Sequence, residues 1–254
     1  MSADANDLGR PVSSAAVPTL ERLNTEALRE TVRTFRDTVR AHAGWLNRLN
    51  VYPVPDGDTG TNMARTLDAV VAEMDSTDAD DLDATCDAIA HGSLMGARGN
   101  SGVILSQIMR GLASTLKTQT PASGAKFAEA MQAAATGAYQ AALKPIEGTI
   151  LTVVRLSADA AKESADAGGL LAEVVHAAHE AGKIALANTP ELLPVLKEAG
   201  VVDAGGAGFL LLLDSALHIV DGVPLPEAEE DDGSGGAVAA AFETTSPRLG
   251  VTTV

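Results

Sequence analysis

Residues 25–49 read TEALRETVRTFRDTVRAHAGWLNRL. Leu28, Val32, Phe35, Val39, His42, Leu46 and Leu49 recur in alternating steps of four and three. That is the period of a helix with one buried stripe. His42 lies on the stripe and reads as a satisfied core histidine. Working outward, helical periodicity recurs over about residues 61–75, 82–95, 100–117, 124–143, 149–166, 170–188, a short run near 190–199, and 206–221. Ala, Leu and Val dominate, aromatics are 3% of the chain, and no stretch sustains strand alternation. The expected fold is all-α, an antiparallel barrel or bundle of about eight helices. Trp45 is expected to pack between helices near the end of the first one.

The 254 residues suggest one domain over 20–221. Residues 1–19 are expected to be disordered. Past Asp221, an acidic run over 227–232 and then Gly233-Ser234-Gly235-Gly236 read as a linker over 222–254 toward C-terminal domains outside this chain. The formal net charge of −16 argues against nonspecific nucleic-acid binding, which needs a basic surface. The single Cys86 excludes an intramolecular disulfide and a zinc–thiolate cluster, and suits the cytoplasm. Residues 1–19 do not have the pattern of a signal peptide. The apolar run over 209–213 is too short to suggest a membrane span.

Four turns interrupt the helices. The first is NVYPVPDGDTGTNM, residues 50–63. Pro53 and Pro55 forbid a helix there, while Gly57 and Gly60 permit a tight turn. Asp56 and Asp58 can therefore aim at one point, and hard oxygen ligands without nearby Cys or His suit Mg²⁺ or Ca²⁺. The second is HGSLMGARGNSGVIL, residues 91–105, where Gly96, Gly99 and Gly102 flank Arg98, Asn100 and Ser101. It opens a helix with Ile104, Ile108, Leu112 and Leu116 on one face and Asn100 or Ser101 as N-cap. Helix N-termini bind anions through free N–H groups, and Arg98 adds a charge-assisted contact. Val201 to Phe209, with Asp203, Gly205 and Gly206, opens another apolar helix carrying Leu210, Leu213, Leu217 and Val220. Glu147-Gly148-Thr149 opens a fourth, with Thr149 as cap. Each turn alone is equally an ordinary connection. Gathered at one end of a bundle, they form a phosphate-binding rim with a metal site. His176 and His179, three apart, have no third ligand at matching spacing and read as surface or partly buried side chains.

These four segments together resemble the nucleotide-binding domain of the dihydroxyacetone-kinase-like (DhaL) superfamily, and most closely the N-terminal domain of the bacterial fatty acid kinase A subunit. The resemblance covers about residues 20–221 and implies a barrel of eight antiparallel helices. It implies that Asp56 and Asp58, joined by Asn50, hold a pair of Mg²⁺ ions on ATP. Asn50 stands near where dihydroxyacetone kinases carry an aspartate. Thr59, Thr61 and Asn62 would line the phosphate end. Gly99, Asn100, Ser101 and Gly102 would cradle phosphates. Thr149, Asp203, Gly205 and Gly206 would surround the nucleotide, with Arg98 on the phosphate rim beside the catalytic Asp56 and Asp58.

The implied reaction is γ-phosphate transfer to the carboxylate of a fatty acid presented by a separate fatty-acid-binding protein, giving an acyl phosphate for phospholipid synthesis. A carboxylate is already ionised at neutral pH, so no general base is required. The family also implies further domains, poor turnover by this piece alone, and a homodimer for the full-length protein. Two rivals stay open: a dihydroxyacetone-kinase-type phosphotransferase, and a regulatory domain that binds nucleotide without transferring phosphate. An aspartyl-phosphate phosphatase is rejected because Pro-Val-Pro precedes the motif and Gly60 is fifth in it. An EF-hand is rejected because Leu67 and Thr61 occupy its acidic and glycine positions.

Overall fold

The computed structural model describes residues 19–117 and 121–228. Eleven helices account for most of them: α1 (Thr25–Ala41), α2 (Ala43–Leu49), α3 (Thr59–Met74), α4 (Leu82–Gly96), α5 (Gly99–Leu116), α6 (Gly124–Ala141), α7 (Ile150–Asp166), α8 (Leu171–Ala187), α9 (Thr189–Leu192), α10 (Pro194–Ala199) and α11 (Ala204–Asp221). The described residues form no sheet, only an isolated bridge between Leu23 and Ala122. Eight of the helices are long, and each packs on its neighbour around a closed ring: α1, α3, α4, α5, α6, α7, α8, α11 and back to α1. Short α2 lies against α3 and α11, while α9 and α10 fill the connection from α8 to α11.

Neighbours in the ring are antiparallel. Arg33 pairs with Asp75 at 2.7 Å and Arg40 with Asp68 at 2.9 Å across α1 and α3. His176 meets Asp221 at 2.9 Å and His179 meets Asp214 at 2.8 Å across α8 and α11, so these histidines pair with aspartates and not with each other. The ring has an even number of members, so its polarity alternates without a break. Consequently α3, α5, α7 and α11 all start at one rim, and α1, α4, α6 and α8 start at the other. The four helices that start together are those preceded by the four turns.

Inside the ring, Phe35, Leu46, Met63, Leu105, Met109, Met131 and Phe209 are fully buried. Helix α11 is buried along almost its whole length, because α1, α2, α3, α7 and α8 all pack on it. Its 18 residues have a mean hydropathy of 1.3, long and apolar enough for a membrane span, contrary to the short run expected near Phe209; 72% of it is buried as core.

Three expectations need correction. The first helix is two, because His42 (φ −97°, ψ 5°) ends α1 and starts α2. The stripe hid the break, since both pieces keep their apolar residues in phase. His42 is otherwise as expected. It is buried, its Nδ1 lies 2.8 Å from the Thr38 carbonyl, and Trp45 meets its ring edge-on at 6.1 Å. On α5, Leu105, Ile108, Met109, Ala113 and Leu116 are buried, while Ile104 and Leu112 are only half-buried, so the core face is rotated from the expected one. The N-cap of α5 is Arg98, not Asn100 or Ser101.

The disorder expected over 1–19 lies outside the described residues except at Thr19, which donates its hydroxyl to Asp221 at 2.6 Å. Most of the expected linker, residues 229–254, also lies outside them.

Helices α5 and α6 approach closely at two glycines. A methyl group on Gly111 would come within 2.7 Å of the Ala133 carbonyl and the Ala134 backbone. Backbone cannot yield as a flexible side chain does. Gly111→Ala is expected to destabilise the fold by about 2 kcal/mol in chemical unfolding, through overpacking alone. A stability equal to wild type would contradict this close approach.

Candidate functional site on one rim of the helical ring

The rim where α3, α5, α7 and α11 begin is knitted together by short contacts. Gly99 (φ +59°) lies against the Asn62 carboxamide, with no room for a side chain, which joins the first turn to the second. A methyl on Gly208 would touch the Met63 thioether at 2.6 Å, which brings α11 onto α3. The Asp203 carboxylate accepts from Gly206 N at 2.7 Å, and Gly205 and Gly206 pack against Ile150 and Val153, which brings α11 onto α7.

Two asparagines from α2 govern the first turn. Asn50 Oδ1 accepts from Asp58 N at 3.3 Å, Thr59 N at 3.1 Å and the Thr59 hydroxyl at 2.7 Å, and its Nδ2 donates to the Val54 carbonyl at 2.9 Å. Asn47 accepts from Thr61 N at 3.1 Å and donates to the Thr61 hydroxyl at 3.0 Å. The Thr59 and Thr61 N–H groups at the α3 N-terminus are thus taken up by protein amides. The Asn50 oxygen thus serves three donors and caps α3. Thr59 and Asn62 are buried and Thr61 is half-buried, so only Thr61 of the three has an accessible face. Asn47 was missed; its signal was an amide three residues before Asn50, one helical turn away.

With capping delegated to these amides, the carboxylates are unspent. Asp58 stands at the N-cap position of α3, yet its side chain makes no capping bond. Asp56 is exposed and Asp58 half-buried, and Gly57 between them has φ +65°. Among the described residues, no group of three or more His, Cys, Asp or Glu side chains gathers as a metal site. The pair therefore offers two hard oxygen donors and leaves other positions of a cation to water or phosphate, as Mg²⁺ sites do.

At the second turn, the Arg98 guanidinium folds back onto the carbonyls of Ala97 at 2.8 Å and Met95 at 3.3 Å, where it closes the end of α4. Helix α5 has no side-chain cap. Gly99 and Asn100 are exposed and Ser101 half-buried. Their N–H groups and the positive dipole end form the anion-binding feature of a helix start.

The other two helix starts are closed. Thr149 caps α7, accepting from Leu151 N at 3.4 Å and donating to the Ile146 carbonyl at 2.8 Å. Asp203 caps α11 through Gly206 N at 2.7 Å and donates its own N–H to Thr189 at 3.1 Å. Burial pushes the Asp203 carboxyl up to about 6, against the downward pull of its backbone donors Gly206, Ile150 and Gly205. Gly205 and Gly206 lie tight against Ile150 and Val153 of α7. Thr149, Asp203, Gly205 and Gly206 thus build the rim, while α5 alone of the four ends presents uncapped N–H groups.

Beside Thr149, Glu147 accepts from Tyr139 at 2.8 Å, Thr152 at 2.6 Å and Arg155 at 3.1 Å. Burial pushes this carboxyl up, but those bonds and the Arg155 charge hold it below the usual range. The network steadies the α6–α7 connection. Sequence reasoning missed it because Tyr139 and Arg155 lie on different helices.

The DAK2 domain family matches residues 53–218. The chain is 43% identical to protein YloV of Bacillus subtilis over 202 residues, covering 77% of this chain and 36% of that protein. It is 45% identical over 181 residues to a protein of Staphylococcus saprophyticus, covering 71% of this chain and 33% of that one. It therefore spans about a third of the length of these relatives. The fold is similar to the dihydroxyacetone kinase from C. freundii in complex with AMP-PNP and Mg²⁺, with a TM-score of 0.56 and 16% identity over 85% of this chain and 38% of that one. The native form of that kinase gives a TM-score of 0.54. The chain belongs to the DAK2 domain family, within the dihydroxyacetone-kinase-like superfamily.

Asp203 also sets a pH dependence. Folded, it holds its proton up to about 6; its ordinary value is 3.8. The folded state therefore binds the extra proton between those values, and stability from this group is full below the lower one and declines as pH rises through the upper one. Relative to Asp203→Asn, the wild-type unfolding free energy should fall between about pH 4 and about pH 7 in urea titrations. A difference independent of pH would show that Asp203 is not a buried titrating cap.

Proposed function

We propose that this member of the DAK2 domain family binds ATP with Mg²⁺ and transfers the γ-phosphate to the carboxylate of a fatty acid, giving an acyl phosphate. The observation that carries the nucleotide reading is the pairing, on one rim, of two unspent carboxylates with the uncapped start of α5. The acceptor reading rests on the resemblance of the residue 50–63 and 96–107 blocks to fatty acid kinases. The acyl group would arrive on a separate fatty-acid-binding protein, and the longer relatives have room for the domains that engage it.

Each part of the rim has a task. Asp56 and Asp58 would hold the metal, a pair of ions in this reading. When bound, Mg²⁺ supplies charge neutralisation on the phosphate oxygens. The N–H groups of Gly99, Asn100 and Ser101 and the Ser101 hydroxyl bind phosphate, and Gly102 lets Thr66 pack close behind them. The Thr61 hydroxyl, held by Asn47, would line the phosphate end. Asn62 holds Gly99 in place from below. Arg98 borders the phosphates from the end of α4. No residue need remove a proton, because the acceptor carboxylate is ionised near neutral pH. Catalysis then rests on alignment and on fixed dipoles. An ATP-dependent reaction of this kind belongs in the cytoplasm.

The likeness to dihydroxyacetone kinase favours one other acceptor, a sugar hydroxyl. Phosphate transfer assayed with each acceptor system separates the two. Asp56→Ala or Asp58→Ala is expected to abolish Mg²⁺-dependent ATP binding and leave the far-UV circular dichroism unchanged. Unaltered ATP affinity in both variants would overturn the metal assignment.

A further inference from the structure

The register between α5 and α6 carries the α6–α7 connection to the start of α5. A methyl on Gly111 would meet Ala133 and Ala134, and one on Gly137 would meet the Gln107 carbonyl at 3.0 Å. Each step forward on α6 is thus a step back on α5. Because α6 runs antiparallel to α5, the end of α6 lies at the rim where α5 begins. Helix α6 ends at Ala141, so Lys144 stands in the connection itself, at the rim.

Lys144 is also unlike the other lysines. Lys117, Lys126, Lys162, Lys183 and Lys197 each hold a carboxylate. Lys144 is exposed and makes no ion pair among the described residues, in a chain whose net charge is −16. The nearest carboxylate in sequence, Glu147, is engaged by Tyr139, Thr152 and Arg155. Pro145 restricts Lys144 to extended backbone, and Leu143 before it is wholly exposed. An unpaired ammonium in an acidic chain, on the rim that carries the uncapped start of α5, is matched to an anion.

We propose that Lys144 is a phosphate-contacting residue of the nucleotide site, reaching from the α6–α7 connection to phosphate oxygens held at the first turn of α5. The inference rests on the reading of this rim as a nucleotide site. It adds a point charge to a set of N–H donors, from a segment that none of the four turns includes. Calorimetric titration of ATP and of adenosine, with Mg²⁺ present, tests it on wild type, Lys144→Gln and Lys144→Arg. Lys144→Gln should weaken ATP binding about tenfold, the worth of one charge-assisted contact. Adenosine binding should be unchanged, and Lys144→Arg should restore most of the ATP affinity. Wild-type binding of ATP with equal affinity in Lys144→Gln overturns the inference and leaves the nucleotide site standing. Absence of ATP binding by wild type overturns both.

Discussion

Helices joined by short connections pack antiparallel, and in a closed ring of eight that rule alternates polarity all the way round. Four helix starts must then share a rim. The rule says nothing about chemistry, but it decides where chemistry can accumulate. A turn before α3, α5, α7 or α11 lands on one rim, however far apart those turns are in sequence. On the opposite rim, Asn24 caps α1, Asp81 caps α4 and Ser123 caps α6, while α8 has no N-cap side-chain bond and its Glu173 takes the Leu170 N–H.

What makes the first rim different is how its orphan N–H groups are satisfied. Asn47 and Asn50 close α3 from outside that helix, Thr149 closes α7, and Asp203 closes α11. Helix α5 is left open. The delegation of capping to two asparagines leaves Asp58, which stands where a cap would be, without a capping bond. In a chain this acidic, phosphates cannot rely on a general positive field. Under the proposed nucleotide reading, local sources would serve: the α5 dipole, a cation held by two carboxylates, and the few basic side chains at the rim.

Periodicity carried most of the fold. Helix bounds agree closely from α3 to α8 and at α11, because apolar residues at steps of three and four mark a buried face, and Gly and Pro mark the ends; the single short run expected near 190–199 is instead two helices, α9 and α10, broken at Leu193 before Pro194. The break at His42 was invisible for the same reason, since Leu46 and Leu49 continue the phase of Leu28 and Val32. The site was legible as four turns but not as a division of labour. Asn50 enters the site only through the family resemblance, and nothing in its spacing announces the three donors that make its oxygen a cap for α3. The resemblance sets Asp203 near the nucleotide, and spacing does not reveal that it is buried, caps its own helix through Gly206 and donates its N–H to Thr189. Partners distant in sequence decide both cases, and one-dimensional spacing does not carry them.

The central claim is that this rim is a metal-dependent nucleotide site. The most direct measurement is calorimetric titration of ATP into the chain, first with Mg²⁺ and then with EDTA. Micromolar binding that vanishes with EDTA is the predicted result, because the carboxylate pair and the α5 N-terminus must act together through the cation. Binding of equal strength in both conditions, or none in either, would contradict the account.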